Sequence, residues 1–208
     1  MLIGKPDYWD QACADLSAAD PILAKLIATY PQISLEGRGD AFQTLARSIV
    51  GQQISVKAAD SVYRKVLAHL EVMESDRVLQ AEFDALRACG LSARKVEYLK
   101  DLAKHHAEGR LEPADWVEWD DDAIISELTS IRGIGRWTVE MFLMFHLLRP
   151  NVLPLDDIGL IKAVALNYHG GERLPKADIR KLAERWQPWC TVATWYFWRS
   201  LEPVPVSY

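Results

Sequence analysis

The stretch Leu128-Thr-Ser-Ile-Arg-Gly-Ile-Gly-Arg-Trp-Thr-Val139 decides how this chain is read. Ile124, Ile125, Leu128 and Ile131 stand at helical spacing on its near side, and Trp137, Met141, Phe142, Phe145 and Leu148 repeat that spacing beyond it. Between them, Gly133-Ile-Gly135 predicts a tight turn, with one helix ending near Ile131 and a second starting at Arg136. Glycine takes backbone dihedrals closed to other residues and puts no side chain in the way of a ligand. The second helix then directs free N–H groups outward, which suits a phosphate, and Arg136 and Thr138 are placed to reinforce that contact. A plain helix–turn–helix corner with glycine caps has the same pattern, so the hairpin alone leaves both readings open.

Sixteen residues past Thr138, the chain reads Pro154-Leu-Asp-Asp-Ile-Gly-Leu-Ile-Lys162. Two adjacent carboxylates, Asp156 and Asp157, precede an apolar helix, so one of them is expected to cap it. As a cap alone this is commonplace.

Helical periodicity continues outward in both directions. Phe42, Leu45, Ala46, Ile49 and Val50 mark one face, started by Asp40 with Gln43 at capping-box spacing. Val56, Ala59, Val62, Tyr63, Val66 and Leu70 mark the next, behind Ser55 as N-cap. Val96, Leu99, Leu102 and Ala103 follow Ser92 and stop at Gly109. Further helices are expected near 7–16, 20–29, 76–88, 157–168, 176–187 and 189–201, with Pro21 in the first helical position after Asp20. No alternating run is long enough for a strand. The expected fold class is all-α, with ten or so short helices.

Length and charge narrow the function. A chain of 208 residues, half of them hydrophobic and a quarter charged, is neither disordered nor a disulfide-stapled miniprotein. The longest apolar run, Met141–Leu148, contains His146 and is far short of the ~20 residues that a membrane helix needs. No secretory signal is visible at the start, and Cys13, Cys89 and Cys190 are scattered and odd in number, which points to a reducing compartment. A net charge of −5 argues against a broad basic surface, but residues 111–128 hold seven acids and no Lys or Arg. The remainder of the chain stands at +2, so a groove can still be locally positive. The acidic run reads as a solvated linker and helix start.

The hairpin followed by an Asp-led helix resembles the helix-hairpin-helix DNA glycosylase superfamily. Three more segments fit it in order: Phe42-Gln-Thr-Leu-Ala-Arg-Ser-Ile-Val-Gly-Gln-Gln-Ile-Ser-Val-Lys57, Gly90-Leu-Ser-Ala-Arg-Lys-Val-Glu-Tyr-Leu-Lys100 and Ala183-Glu-Arg-Trp-Gln-Pro-Trp189. The last is similar to the C-terminal signature of the alkylation-repair branch, DNA-3-methyladenine glycosylase II. The resemblance spans about residues 20–201. It implies two helical lobes around a cleft, one of about 37–146 carrying the hairpin 128–139 and one of about 1–36 plus 147–208. Only 41 residues precede Phe42, so the chain is expected to be the compact form without an N-terminal β lobe.

Roles follow from the resemblance residue by residue. Counting back five from Lys162 selects Asp157 as the catalytic carboxylate, with Asp156 the alternative and a further substrate-binding candidate. The position of the Schiff-base lysine in bifunctional members is Trp137 here, so imine formation and strand cleavage are not expected. Trp137 and Trp198 match pocket positions, and Met141 stands where some relatives have a pocket tyrosine, whereas Trp186, Trp189 and Trp195 are read as packing. Gln53, then Gln52, is the candidate wedge into a vacated base stack, with Ser55, Gly133, Gly135, Arg136 and Thr138 as further DNA contacts. A monovalent cation at the hairpin would map to the carbonyls of Thr129, Ile131 and Ile134; an iron–sulfur cluster is excluded, because only Cys190 lies near the C-terminus. Cys190-Thr191 replaces the branch's basic residue and serine, which puts a helix contact or the pocket wall in doubt. His105 and His106, with Asp101 and Glu108 nearby, are read as a solvated helix face rather than a metal site.

The expected function is excision of alkylated purines from duplex DNA by a monomer without a membrane partner, in the cytoplasm at the nucleoid or in the nucleus. The alternatives are a glycosylase for deaminated or oxidised bases and a non-catalytic helix-hairpin-helix module. The Asp-led helix separates the last of these, because a pure binding module has no use for Asp157.

Overall fold

The computed structural model describes residues 2–38, 40–111, 116 and 118–201. In chain order they form α1 (Trp9–Ala19), α2 (Pro21–Thr29), α3 (Ala41–Gly51), α4 (Val56–Leu70), α5 (Ser75–Gln80) and α6 (Phe83–Ala88). There follow α7 (Ala93–Ala107), α8 (Asp121–Thr129), α9 (Arg136–Phe145), α10 (Ile158–Tyr168), α11 (Lys176–Ala183) and α12 (Cys190–Leu201). The fold is helical, as expected; the extended structure among the described residues is one antiparallel pair of two-residue strands, β1 (Leu2–Ile3) and β2 (Gly37–Arg38). No helix among the described residues is long and apolar enough to cross a membrane.

Helix starts follow short-range capping chemistry. Asp20 accepts the N–H groups of Ile22 and Leu23 ahead of Pro21, Asp40 accepts that of Gln43, and Ser55, Ser92 and Asp120 do the same for α4, α7 and α8. Asp120–Asp122 therefore open α8, and Glu127 bonds the Arg110 guanidinium at 2.7 Å. Glu112 and Asp115 of the acidic run lie outside the described residues.

The helix expected over 76–88 is two helices. Ala81 is extended, and Lys100 Nζ donates to the carbonyls of Val78, Leu79 and Ala81 at 3.3, 3.1 and 2.8 Å. A lysine from α7 thus takes the acceptors a continuous helix would have used itself. Lys95, on the same helix, closes the end of α3 by donating to Val50 O at 2.8 Å, and burial pushes its pKa down.

The chain divides into two compact units: Asp40–Phe142, and the described residues before and after that span. The junctions expected from the resemblance are near 36/37 and 146/147. In the unit of Asp40–Phe142, α7 packs against α3 and α5, and Phe42, Leu45, Ile49, Val96, Leu99 and Leu102 are buried. The other unit is built on α12, whose residues from Cys190 to Arg199 are all buried. A helix enclosed all round must be covered on every side, and α2, α10 and α1 pack against it. Here Trp186 lies against Phe197, Trp195 meets Trp9 edge-on and Trp189 stacks on Tyr8, which are packing roles.

Candidate active site and nucleic-acid interface

Asp157 is the N-cap of α10. Its Oδ1 accepts the Leu160 N–H at 2.6 Å, three residues on, as an Asp before an apolar helix should. The same oxygen accepts the Trp198 indole Nε1–H at 2.8 Å, so α10 and α12 together fix the carboxylate in a setting only 7% exposed. Trp198 is itself buried, with its ring parallel to Phe145 and centroids 6.0 Å apart. Gly159 makes room for the pair. A Cβ there would stand 3.0 Å from Asp157 Oδ1 and 3.2 Å from the indole edge of Trp198. Beside it, Ile158 is 80% exposed.

Asp156, the neighbouring carboxylate, is exposed. Only the N-cap residue reaches the N–H groups of the helix; its predecessor stays at the surface, where Asp156 pairs with Lys176. The departure at Cys190-Thr191 also acquires a physical meaning. Thr191 Oγ1 donates to Arg149 O at 2.6 Å and accepts the Val152 N–H at 3.0 Å, which pins the segment leading to Asp157. Cys190 is buried, and burial pushes its thiol pKa up to about 12.

The hairpin lies in the unit of Asp40–Phe142. Helix α8 ends at Thr129, two residues before the expected stop, and α9 begins at Arg136 as read. The two glycines differ. Gly133 has φ +85°, and a Cβ on it would collide with the ring of Tyr98. Gly135 has no neighbour within 4 Å of a would-be Cβ, so its contribution is open space in front of the turn. Besides Tyr98, two side chains hold the turn. Asp101 Oδ2 accepts the Arg132 backbone N–H at 2.9 Å, and Gln52 Nε2 donates to Gly133 O at 2.7 Å. Sequence reasoning missed Tyr98 and Asp101, although their i, i+3 spacing on α7 places them on one face.

The basic candidates are not isolated cations. Arg136 lies 3.0 Å from Glu140 and 3.6 Å from Asp122, and the exposed Arg132 lies near Asp101 and Glu97. Thr138 is buried, and on α9 it shares the inward side with Val139 and Phe142. Trp137 is half-buried, and Met141, one turn further on, is buried.

The two glutamines also separate. Gln52 is partly buried and spent on Gly133, whereas Gln53 is exposed with φ +60° and is followed by Ile54, 40% exposed. A non-glycine residue in the left-handed region is uncommon and tends to mark a functional turn. Ser55 is exposed and caps α4 through the Ala58 N–H at 3.3 Å.

His105 Nδ1 lies 2.8 Å from Asp101 O and His106 Nδ1 2.9 Å from Ser75 Oγ, and no cluster of three or more His, Cys, Asp or Glu fit for a metal occurs among the described residues. The carbonyls of Thr129, Ile131 and Ile134 lie on the hairpin turn. Ile131 O accepts the Ile134 N–H at 3.1 Å, and a carbonyl oxygen has a second lone pair to offer. Such neutral oxygens suit a hard cation.

Comparison with known proteins agrees with this arrangement. The HhH-GPD superfamily, described as base excision DNA repair protein, matches residues 46–188. DNA-3-methyladenine glycosylase 1 of Schizosaccharomyces pombe is 33% identical over 187 residues, which cover 86% of this chain and 80% of that one. Among solved structures, a DNA-3-methyladenine glycosidase from Bacillus halodurans matches with a TM-score of 0.84 and 33% identity, over 92% of this chain and 89% of its own. A 3-methyladenine DNA glycosylase of Schizosaccharomyces pombe in complex with abasic DNA matches with a TM-score of 0.80 and 28% identity, over 95% and 100%. The hairpin, the Asp-led helix and these likenesses agree: the chain belongs to the HhH-GPD superfamily of base excision DNA repair proteins.

Proposed function

We propose that this chain is a monofunctional DNA glycosylase, which flips alkylated purines of the 3-methyladenine and 7-methylguanine type out of duplex DNA and hydrolyses their N-glycosidic bond. The observation that carries the reading is the buried Asp157 carboxylate, held by the Leu160 N–H and the Trp198 indole N–H at the start of α10. A purine alkylated at N3 or N7 is cationic, so it is already a good leaving group, and its departure leaves positive charge on the sugar. A fixed carboxylate stabilises that charge and orients the attacking water. The reacting base must first leave the stack, and the exposed Gln53 suits the space it vacates. The half-buried Trp137 is the candidate to stack on the flipped base, where a cation–π contact contributes ~0.5–2 kcal/mol.

The open turn at Gly135 and the N–H groups at the start of α9 suit a DNA phosphate. A monovalent cation held by the carbonyls of Thr129, Ile131 and Ile134 would add positive charge beside that phosphate. The protein works where duplex DNA is, at a nucleoid or in a nucleus.

The test is chromatography of the bases released from methylated duplex DNA. Free 3-methyladenine and 7-methylguanine are expected. Release of hypoxanthine or 8-oxoguanine from the matching duplexes, with none from methylated DNA, would overturn the assignment.

A further inference from the structure

We propose that Gln52 couples phosphate capture at the hairpin to the DNA-inserting tip Gln53–Ile54. The inference rests on the glycosylase reading above and concerns how its DNA-binding parts act together. The sequence treats Gln52 as a second wedge, but the geometry gives its amide another partner. Nε2 donates to Gly133 O at 2.7 Å, across 81 residues, and the side chain is partly buried in doing so.

Three features give this bond its consequence. The hairpin is held in place without it, by Tyr98 filling the space that a Cβ on Gly133 would need and by Asp101 accepting the Arg132 N–H at 2.9 Å. Helix α3, too, is closed without it, by Lys95 on Val50 O. What Gln52 adds is a direct tie from the residue just before the tip to the carbonyl at the centre of the turn. Finally, Gln53 stands at φ +60°, so the tip leaves Gln52 through a sharp left-handed bend, and its direction depends on where Gln52 is held. A hairpin seated on a phosphate therefore fixes the position of Gln53 and Ile54 relative to the duplex. Gln52 is thus a positioning residue, acting on DNA through its neighbour and not by touching it.

The test compares affinity for two duplexes, one undamaged and one holding a stable abasic analogue, where an inserted tip has a vacancy to fill. Gln52→Met keeps length and removes the amide; Gln52→Glu keeps shape and sets a carboxylate against a carbonyl. Losing one hydrogen bond corresponds to about a 3- to 10-fold change in affinity. Both variants are expected to lose about that much for the abasic duplex while binding undamaged duplex within about twofold of wild type. Combined with Gln53→Ala, Gln52→Met is expected to add nothing further, because both act through the same tip. Additive losses in that pair, equal losses on both duplexes, or no loss on either would overturn the coupling. Thermal melting of each variant distinguishes a misfolded sample, which lowers binding to both duplexes in proportion. Wild type that binds neither duplex would instead refute the glycosylase reading.

Discussion

The indole Nε1 of Trp198 and Oδ1 of Asp157 lie 2.8 Å apart, with donor and acceptor both buried and the Leu160 N–H on the same oxygen. A tryptophan that belongs to the pocket by resemblance is thereby also a clamp on the carboxylate. A hydrogen bond to a charged group contributes ~1.5–3 kcal/mol. Trp198→Phe keeps a ring to stack on Phe145 and removes the donor. Single-turnover excision should slow by roughly 10- to 100-fold. An unchanged rate would confine Trp198 to the pocket wall.

Gly159→Ala tests the same clamp from the other side. The new methyl would press on Asp157 Oδ1 and the Trp198 indole edge, at 3.0 and 3.2 Å, so one of them must shift. Excision should drop by at least about tenfold, since small displacements of a catalytic group are costly. Melting should stay near that of wild type, because the first turn of α10 accepts alanine readily. Full activity in the variant would show that the carboxylate tolerates displacement.

The hairpin glycines should respond differently. Gly133→Ala places a methyl inside Tyr98 and an alanine at φ +85°, and is expected to lower the Tm by about 4 °C or more. Gly135→Ala meets nothing in the protein and should melt like wild type. It should still weaken binding to damaged and undamaged duplexes alike, because phosphate contacts carry no lesion information. Unchanged affinity in Gly135→Ala would remove the turn as the anchor.

Salt dependence should be shallow. Arg136 and Arg132 are both beside carboxylates, and backbone N–H donors neutralise no phosphate. The slope of log affinity against log salt should correspond to roughly two to four neutralised phosphates. A titration with the steep slope of a strongly basic DNA binder would contradict a grip made of a few aimed contacts.

Lyase chemistry should be absent, since Trp137 offers no amine for an imine. Borohydride added during turnover should trap no protein–DNA adduct, and strand breaks should appear only after alkali or heat. A trapped covalent complex would refute the monofunctional reading.

What the sequence revealed followed the range of each interaction. The caps Asp20, Asp40, Ser55 and Ser92 act on N–H groups two or three residues away, so residue type before an apolar run was enough to find them. The break between α5 and α6 was hidden because Lys100, which takes the freed carbonyls, is on α7. The hairpin was legible as a turn, but the requirement for glycine at 133 lies in Tyr98, and the fate of the Gln52 amide lies 81 residues away. Thr138 looked available beside Arg136, and only the packing of α9 shows it buried. Residue type left the cap of α10 open between Asp156 and Asp157, and the structure gives it to Asp157, whose Oδ1 takes the Leu160 N–H and the Trp198 indole N–H, while Asp156 pairs at the surface with Lys176.

The most direct test compares Asp157→Asn with Asp156→Asn in single-turnover release of 7-methylguanine from methylated duplex. Asparagine keeps the size and capping ability of Asp157 and removes its charge. Excision by Asp157→Asn should fall by ~10²-fold or more, the scale for losing a preorganised electrostatic group, while binding to abasic-analogue duplex persists. Asp156→Asn weakens an exposed surface pair with Lys176 and should keep nearly wild-type activity. An active Asp157→Asn beside an inactive Asp156→Asn would contradict the account.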